Sequence, residues 1–462
     1  MNLIFKIKKH IIFSLFLLSS VNIFSYSYAK DNNITFKNSI TETYRNSLEI
    51  KAEKYRLAAI KHSLGEAYSS KDWNSSYTAN LNSSNKQSDF EGSYVNDDVI
   101  TSTLSLSKNL FDGGKKYEKT LIAKDNVKMH IQKLKVVEQN VILKGVKAYL
   151  DVYSSQSVVK LRSISLERFK GHVKAANLKL SAGTVTPTVV AESDARLAKA
   201  KYEFILAEGN SKNAFSSFKS ITKIKNIPLD LKLPIAHLII PLSEEKIIKI
   251  SKLKNPSIII SQLINSIAKK NIDLDKTVNR PTLKLEFQLK DNQSSVISST
   301  SDYQSYGANI TFNSPLFYNY SSRSSLKKLD KLYIASSIDL SEKYREIELE
   351  AISSLQSYKT SVAKTLASKS EKMSSFLALN GIKKESEYGV RTILDVLDAE
   401  VDYLNASANL IKSQADQIYN LYVIKSILGE LSINDFNDNY KDENKLIENK
   451  LKFNVIDTDM LK

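Results

Sequence analysis

Asp395 and Asp398 stand three residues apart in the run Asp395-Val396-Leu397-Asp398-Ala399-Glu400, a spacing that puts both carboxylates on one face of a helix. Such a pair can do two things. Gathered around an axis by several copies of the chain, the acids form a ring that favours cations and admits block by polyvalent metals. Acids in a first helical turn also stabilise a helix N-terminus with no ligand at all. The residue types alone leave both readings open. Little else in the sequence suggests chemistry. The five histidines, His10, His62, His130, His172 and His237, lie far apart and match no metal spacing. There is no phosphate-cradling glycine loop or nucleophile motif, and the single tryptophan and dispersed carboxylates make no recognisable acid–base pair. The chain contains no cysteine, which removes disulfide frameworks, thiolate metal sites and lipid-modified cysteines. Neither an enzyme, a cofactor nor a structural metal is expected.

The formal charge of +16 invites a nucleic-acid reading. The lysines, however, are scattered through helical patterns with acids between them, and Asn, Ile and Ser are abundant alongside, so no nucleic-acid partner is expected. The few glycines and prolines suit long helices. Residues 1–29 read as a secretory signal peptide: Lys6, Lys8 and Lys9 precede an apolar stretch from Ile11 to Leu18, and Ser27-Tyr28-Ala29 ends it. No later stretch is apolar over a bilayer's thickness, so insertion in a membrane would have to use strands.

The elements that must position the acids come in two copies. At an offset of 206 residues, Leu110-Phe111 falls on Leu316-Phe317, Gly183 on Gly389, Thr186 on Thr392, Ala200 on Ala406, and Lys219-Ser220-Ile221 on Lys425-Ser426-Ile427. The same offset sets Glu192 on Asp398, a candidate second acidic ring. Residues 30–225 form the first repeat, with an entry helix at about 36–69, strands at about 73–85 and 99–108, a long helix at about 115–182 and a return helix at about 184–223. Residues 226–432 form the second, with an entry helix at about 243–275, strands at about 282–290 and 306–314, a long helix at about 321–388 and a return helix at about 390–431. Residues 433–462 read as a polar tail without fixed structure.

All four strand segments alternate. Leu283, Leu285, Phe287 and Leu289, for instance, interleave with Lys284, Glu286, Gln288 and Lys290. That pattern suits a membrane barrel, apolar to lipid and polar to a wet interior. Four strands cannot close alone and open edges are not tolerated in lipid, so either several chains share one barrel or the sheet is not in the membrane; three chains would supply twelve strands. The long helices, roughly 100 Å each at 1.5 Å per residue, exceed any globular core. The seven-residue stripe Leu397, Leu404, Ile411, Ile418 implies left-handed coiled-coil packing, and Gly183 and Gly389 sit where each long helix should double back.

The run Gly389-Val390-Arg391-Thr392-Ile393-Leu394-Asp395-Val396-Leu397-Asp398-Ala399-Glu400 resembles the tip and returning helix of TolC-family outer-membrane efflux and secretion channels. Ile424-Lys425-Ser426-Ile427-Leu428-Gly429-Glu430-Leu431, Leu110-Phe111-Asp112-Gly113-Gly114 and Gly183-Thr184-Val185-Thr186-Pro187-Thr188 support it in the right order. The resemblance implies an α+β membrane protein, a homotrimer sharing a twelve-stranded barrel above a periplasmic helical coiled-coil tunnel. It also implies a function, the outer-membrane exit duct of a tripartite system for type I secretion or efflux. The implied partners are a periplasmic adaptor (membrane fusion) protein, an inner-membrane ABC or proton-driven transporter, and outer-membrane lipid. The resemblance further favours the ring reading of Asp395 and Asp398, and it makes Gly183, Thr184, Gly389 and Val390 the tips where an adaptor docks. Relatives hold the tip shut through an Arg and an aromatic on one hairpin and a Thr-Asp pair on the other. Arg391 and Thr188 fit that pattern. Val189 and Ser386 replace the expected Asp and Tyr, with Tyr388 and Glu387 close enough to substitute. A soluble periplasmic coiled-coil adaptor or a surface stalk without channel activity is the alternative, and it leaves the alternating strands without a purpose.

Overall fold

Strand hairpins and helix hairpins alternate along the chain. In a computed structural model, which describes residues 35–69, 73–87, 94–224, 231–234, 241, 243–294, 302–317 and 320–436, the first repeat runs α1 (Phe36–Asn46), α2 (Leu48–Ser69), β1 (Asn74–Gln87), β2 (Tyr94–Phe111), α3 (Lys115–Ser181) and α4 (Pro187–Thr222). The second runs α5 (Glu244–Lys254), α6 (Pro256–Lys276), β3 (Thr282–Ser294), β4 (Tyr303–Asn313), α7 (Tyr320–Glu387) and α8 (Ile393–Ile427). The expected signal segment and the tail beyond residue 436 lie outside the described residues.

Several boundaries differ from the sequence reading, each for a local reason. Both entry helices are broken. At the second break Asn255 caps α6, its side chain accepting from the Ser257 amide at 2.9 Å, and Pro256 takes the first helical position where its missing N–H costs nothing. The return helices start at Pro187 and Ile393 rather than at 184 and 390, because Thr186 and Thr392 adopt extended cap conformations. The strands outrun their apolar stretches: β1 and β2 stay paired through Lys86↔Val95 to Gln87↔Tyr94. The tail also starts later than expected. Ile433 and Phe436 are buried, and the Phe436 ring stacks on Tyr422 at 5.5 Å.

The four strands form one antiparallel sheet in the order β1-β2-β3-β4. Its register aligns the alternation of all four. Tyr77 pairs with Leu104, Leu104 with Leu289, and Leu289 with Tyr306, so these side chains share one face. Leu81, Ile100, Phe287, Ile310 and Phe312 lie on the same face and are exposed, with Tyr306 at 90 %. The opposite face carries Ser76, Ser105, Gln288 and Gly307 in one row, and the Ser76 and Ser105 hydroxyls meet at 2.7 Å. β1 and β4 each have a neighbour on one side only. Among the described residues no helix is long and apolar enough to cross a membrane.

From the sheet the chain turns into α3 through Asp112-Gly113-Gly114. Gly113 and Gly114 take left-handed backbone, φ 68° and 86°, and the Asp112 carboxylate accepts from the Gly114 and Lys116 amides at 3.0 and 2.8 Å. α3 and α7 then run for 67 and 68 residues, about 100 Å each at the standard rise. The main core girdles their middle rather than their ends. Ile40, Tyr44, Ile142, Val146, Tyr149, Phe218 and Tyr422 pack together there, and Ala351, Leu355, Ile424 and Leu428 form a second cluster.

Towards the tips the seams between helices are built from small residues. Ser354, Ser361 and Ser368 of α7 are buried at seven-residue spacing, as are Ser193, Ala200 and Ala207 of α4. Three of these serines close their hydroxyls on their own helix, Ser354 on the Ala351 carbonyl at 2.9 Å, Ser361 on that of Tyr358 at 2.7 Å and Ser193 on that of Val189 at 2.8 Å. A serine so satisfied packs like an alanine and lets neighbouring helices approach closely.

Candidate functional site at the helical tips

Both hairpins end in the same backbone device. At the first, the Thr184 amide bonds the Lys179 carbonyl and the Gly183 amide that of Leu180, both at 2.9 Å; at the second, Val390 bonds Glu385 at 2.9 Å and Gly389 bonds Ser386 at 3.1 Å. This paired closure needs a left-handed residue, supplied by Gly183 (φ 69°) and Gly389 (φ 77°). Gly183, Thr184, Gly389 and Val390 are all exposed, so both tips present backbone and small side chains to solvent.

The acids behind the second tip have different partners. Thr392 and Asp395 form a capping box: the Thr392 hydroxyl accepts from the Asp395 amide at 3.2 Å, and the Asp395 carboxylate accepts from the Thr392 amide at 2.9 Å. The Thr392 amide and hydroxyl, with the Arg391 charge, hold the Asp395 carboxyl below the usual range, so it stays ionised. Asp398 is exposed and bonds Arg196 of α4 at 2.5 Å, and Arg196 also lies 3.7 Å from Glu192. Of the three acids read from the sequence, Asp398 and Glu192 thus share one arginine, while Asp395 is taken up by the helix cap.

The candidate gating residues do not meet within the chain. Arg391 turns back onto its own hairpin, its Nε bonding Glu385 at 3.0 Å. Thr188, Glu387 and Tyr388 are exposed. Val189 donates its amide to Thr186 and offers no side-chain polar group.

One centre escaped the sequence reading. Glu400, on α8, is 1 % exposed. Its carboxylate meets His172 Nε2 at 3.1 Å, Lys383 Nζ at 2.7 Å and Arg168 at 3.8 Å, and so joins α3, α7 and α8. Burial pushes the carboxyl up, but the hydrogen bonds and charges of His172 and Lys383 outweigh it and hold the group down to about 2. A signal for it existed in the sequence. Ile393, Leu397, Glu400 and Leu404 follow a four-three-four spacing, so Glu400 occupies a seam position where an apolar residue is the rule.

No family model matches the chain. Its sequence is 23 % identical over 332 residues to the outer membrane efflux protein BepC of Brucella suis, spanning 71 % of this chain and 72 % of that protein. It is 24 % identical over 308 residues to the outer membrane protein TolC of Vibrio cholerae, spanning 65 % and 70 %. Among solved structures it resembles the channel CusC, with a TM-score of 0.75 at 13 % identity, covering 86 % of this chain and 92 % of that one. It also resembles the outer-membrane channel CmeC of Campylobacter jejuni, with a TM-score of 0.74 at 16 % identity, covering 88 % and 89 %. Four strands per chain joined to paired long helical hairpins is the fold they share.

Proposed function

We infer that this chain, a member of the TolC family of outer-membrane channel proteins, is the exit duct of a tripartite export system, with its sheet in the outer membrane and its helices in the periplasm. The observation that carries this reading is the sheet. One face is apolar and exposed on all four strands, both edges are open, and the same chain carries helices about 100 Å long. In water that face would be a large unprotected apolar patch. In lipid it is the correct surface, provided the edges close against other copies. A homotrimer closes them, joining twelve strands into one barrel with the polar rows inward. A soluble adaptor or surface stalk has no use for such a face.

The duct has no engine of its own. An inner-membrane transporter, ABC or proton-driven, supplies the energy and a periplasmic adaptor bridges to it, docking at Gly183-Thr184 and Gly389-Val390. Secreted proteins or small molecules are the cargo. In the trimer, Asp395, Asp398 and Glu192 line a cation-favouring ring at the tip, and Arg391, Thr188, Tyr388 and Glu387 take part in its gating. The test is to extract the full chain from membranes, run it with and without heating, and record it in planar bilayers. A salt-resistant, heat-sensitive trimer that conducts ions is expected. Release into buffer without detergent, or a trimer that never conducts, would overturn the duct.

A further inference from the structure

We propose that Glu400 is a lock that fastens the second helical hairpin to the first just above their tips, a role that rests on reading the chain as a duct closed at that end. Glu400 stands seven residues into α8, roughly 10 Å above the start of the helix. Its partners divide between the hairpins. Lys383 belongs to α7, within its own hairpin, whereas His172 and Arg168 belong to α3, in the other. Two further links cross between the hairpins within two turns of it: Arg196 to Asp398, and Arg162 to Asn405 at 3.1 Å. An apolar block of Phe169, Ala200 and Leu397 packs beside them, with the Phe169 ring edge-on to His172.

The cluster behaves as a switch because a buried carboxylate cannot lose partners gradually. With the hairpins together, Glu400 is fully paired and dry. Pulled apart, it surrenders His172 and Arg168 and must be rehydrated, so intermediate separations are disfavoured. The lock also stands where the tip itself is weak. Arg391 is spent on Glu385 in its own hairpin, and Val189 and Ser386 carry no charge to bond across. The closing interaction has moved about two turns up the helices, from the loops into the packed seam.

The experiment compares three variants of the full-length trimer in planar bilayers. Glu400→Gln removes the shared negative charge. Arg168→Met with His172→Leu cuts the links between hairpins but leaves Lys383 to neutralise Glu400, which keeps the carboxylate paired and the fold safe. Asp416→Asn breaks the 3.6 Å pair between Lys364 and Asp416, inside the second hairpin. The first two should raise the basal open fraction about tenfold, the change that ~1.4 kcal/mol of lost coupling gives, and the third should leave it near wild type. A closed Arg168→Met/His172→Leu trimer, or an Asp416→Asn trimer equally open, overturns the lock.

Because the chain has no cysteine, spin labels at Lys179→Cys and Lys384→Cys report hairpin separation directly, in trimers diluted with unlabelled chains. The label distance should lengthen and broaden with Glu400→Gln, and an unchanged distribution overturns the lock whatever the conductance. If no variant conducts yet the distance still responds, the duct reading fails and the clamp between hairpins stands.

Discussion

Replacing Ile310 with arginine separates a sheet in lipid from a sheet in water. Ile310 lies near the middle of β4, paired with Leu285, between Ala308 and Phe312 on the apolar face, and is 68 % exposed. Thr311 is its neighbour on the opposite, polar face, paired with Lys284. On a soluble sheet, arginine at so exposed a position changes stability by about 0.5 kcal/mol at most. Facing the bilayer midplane it costs about 2–4 kcal/mol per chain, or about 6–12 kcal/mol across a trimer, because the charge must snorkel or thin the membrane. Thr311→Arg places the same side chain in a wet lumen and should be close to neutral. The assay is refolding into phospholipid vesicles across a urea series, read by the fraction of heat-sensitive trimer on a gel. Ile310→Arg should lower the midpoint sharply or abolish assembly, while Thr311→Arg follows wild type. Equal midpoints for the two, or the reverse order, would refute the assignment of the apolar face to lipid.

Asp395→Ala with Asp398→Ala should abolish block of the open channel by divalent cations in bilayers; unchanged block would leave Asp395 as a helix cap and Asp398 as a partner of Arg196 and nothing more. Gly429→Ala should lower the thermal midpoint markedly, since Gly429 has φ 72° and an added Cβ would lie 2.3 Å from the Lys254 carbonyl oxygen, whereas Gly65→Ala meets nothing within 4 Å and should stabilise helix α2 by about 0.5–1 kcal/mol. Held at about 2 instead of the ordinary 4.5, Glu400 contributes on the order of 3 kcal/mol per chain. The sign follows from a depressed carboxylate: the contribution is complete above about pH 4.5 and is lost as pH falls through about 2. Wild type and Glu400→Gln should therefore differ most near neutrality and converge in acid, as followed by chemical denaturation at each pH.

How much of this was legible in the sequence depends on the distance over which each feature is decided. The strands were legible because alternation is local, and the register keeps Leu283, Leu285, Phe287 and Leu289 on one face with Phe312, Ile310, Ala308 and Tyr306. The tips were legible because a left-handed glycine and a threonine cap are decided within one turn. The stripe on α8 was half legible: Leu397 and Leu404 are buried, but Ile411 and Ile418 only partly. On α7 the seam towards the tip runs through Ser354, Ser361 and Ser368, small residues that a search for apolar spacing passes over because hydroxyls usually face water.

The same distinction explains why the tip is the part of the molecule least determined by its own motif. The motif residues supply the turn, the cap and the exposed acids, all within one hairpin. What joins one hairpin to the other is decided by pairs 202 and 228 residues apart, Arg196 with Asp398 and His172 with Glu400, and no spacing rule reaches so far. A relative can therefore keep the recognisable tip run and change the strength of closure by altering α3, where substitutions at 168 or 172 leave the motif untouched. Exchanging those two positions tests the point most economically. If closure follows Arg168 and His172 while Gly389 to Glu400 stays constant, the gate is a property of packing between hairpins, and the tip run by itself predicts only that a tip exists.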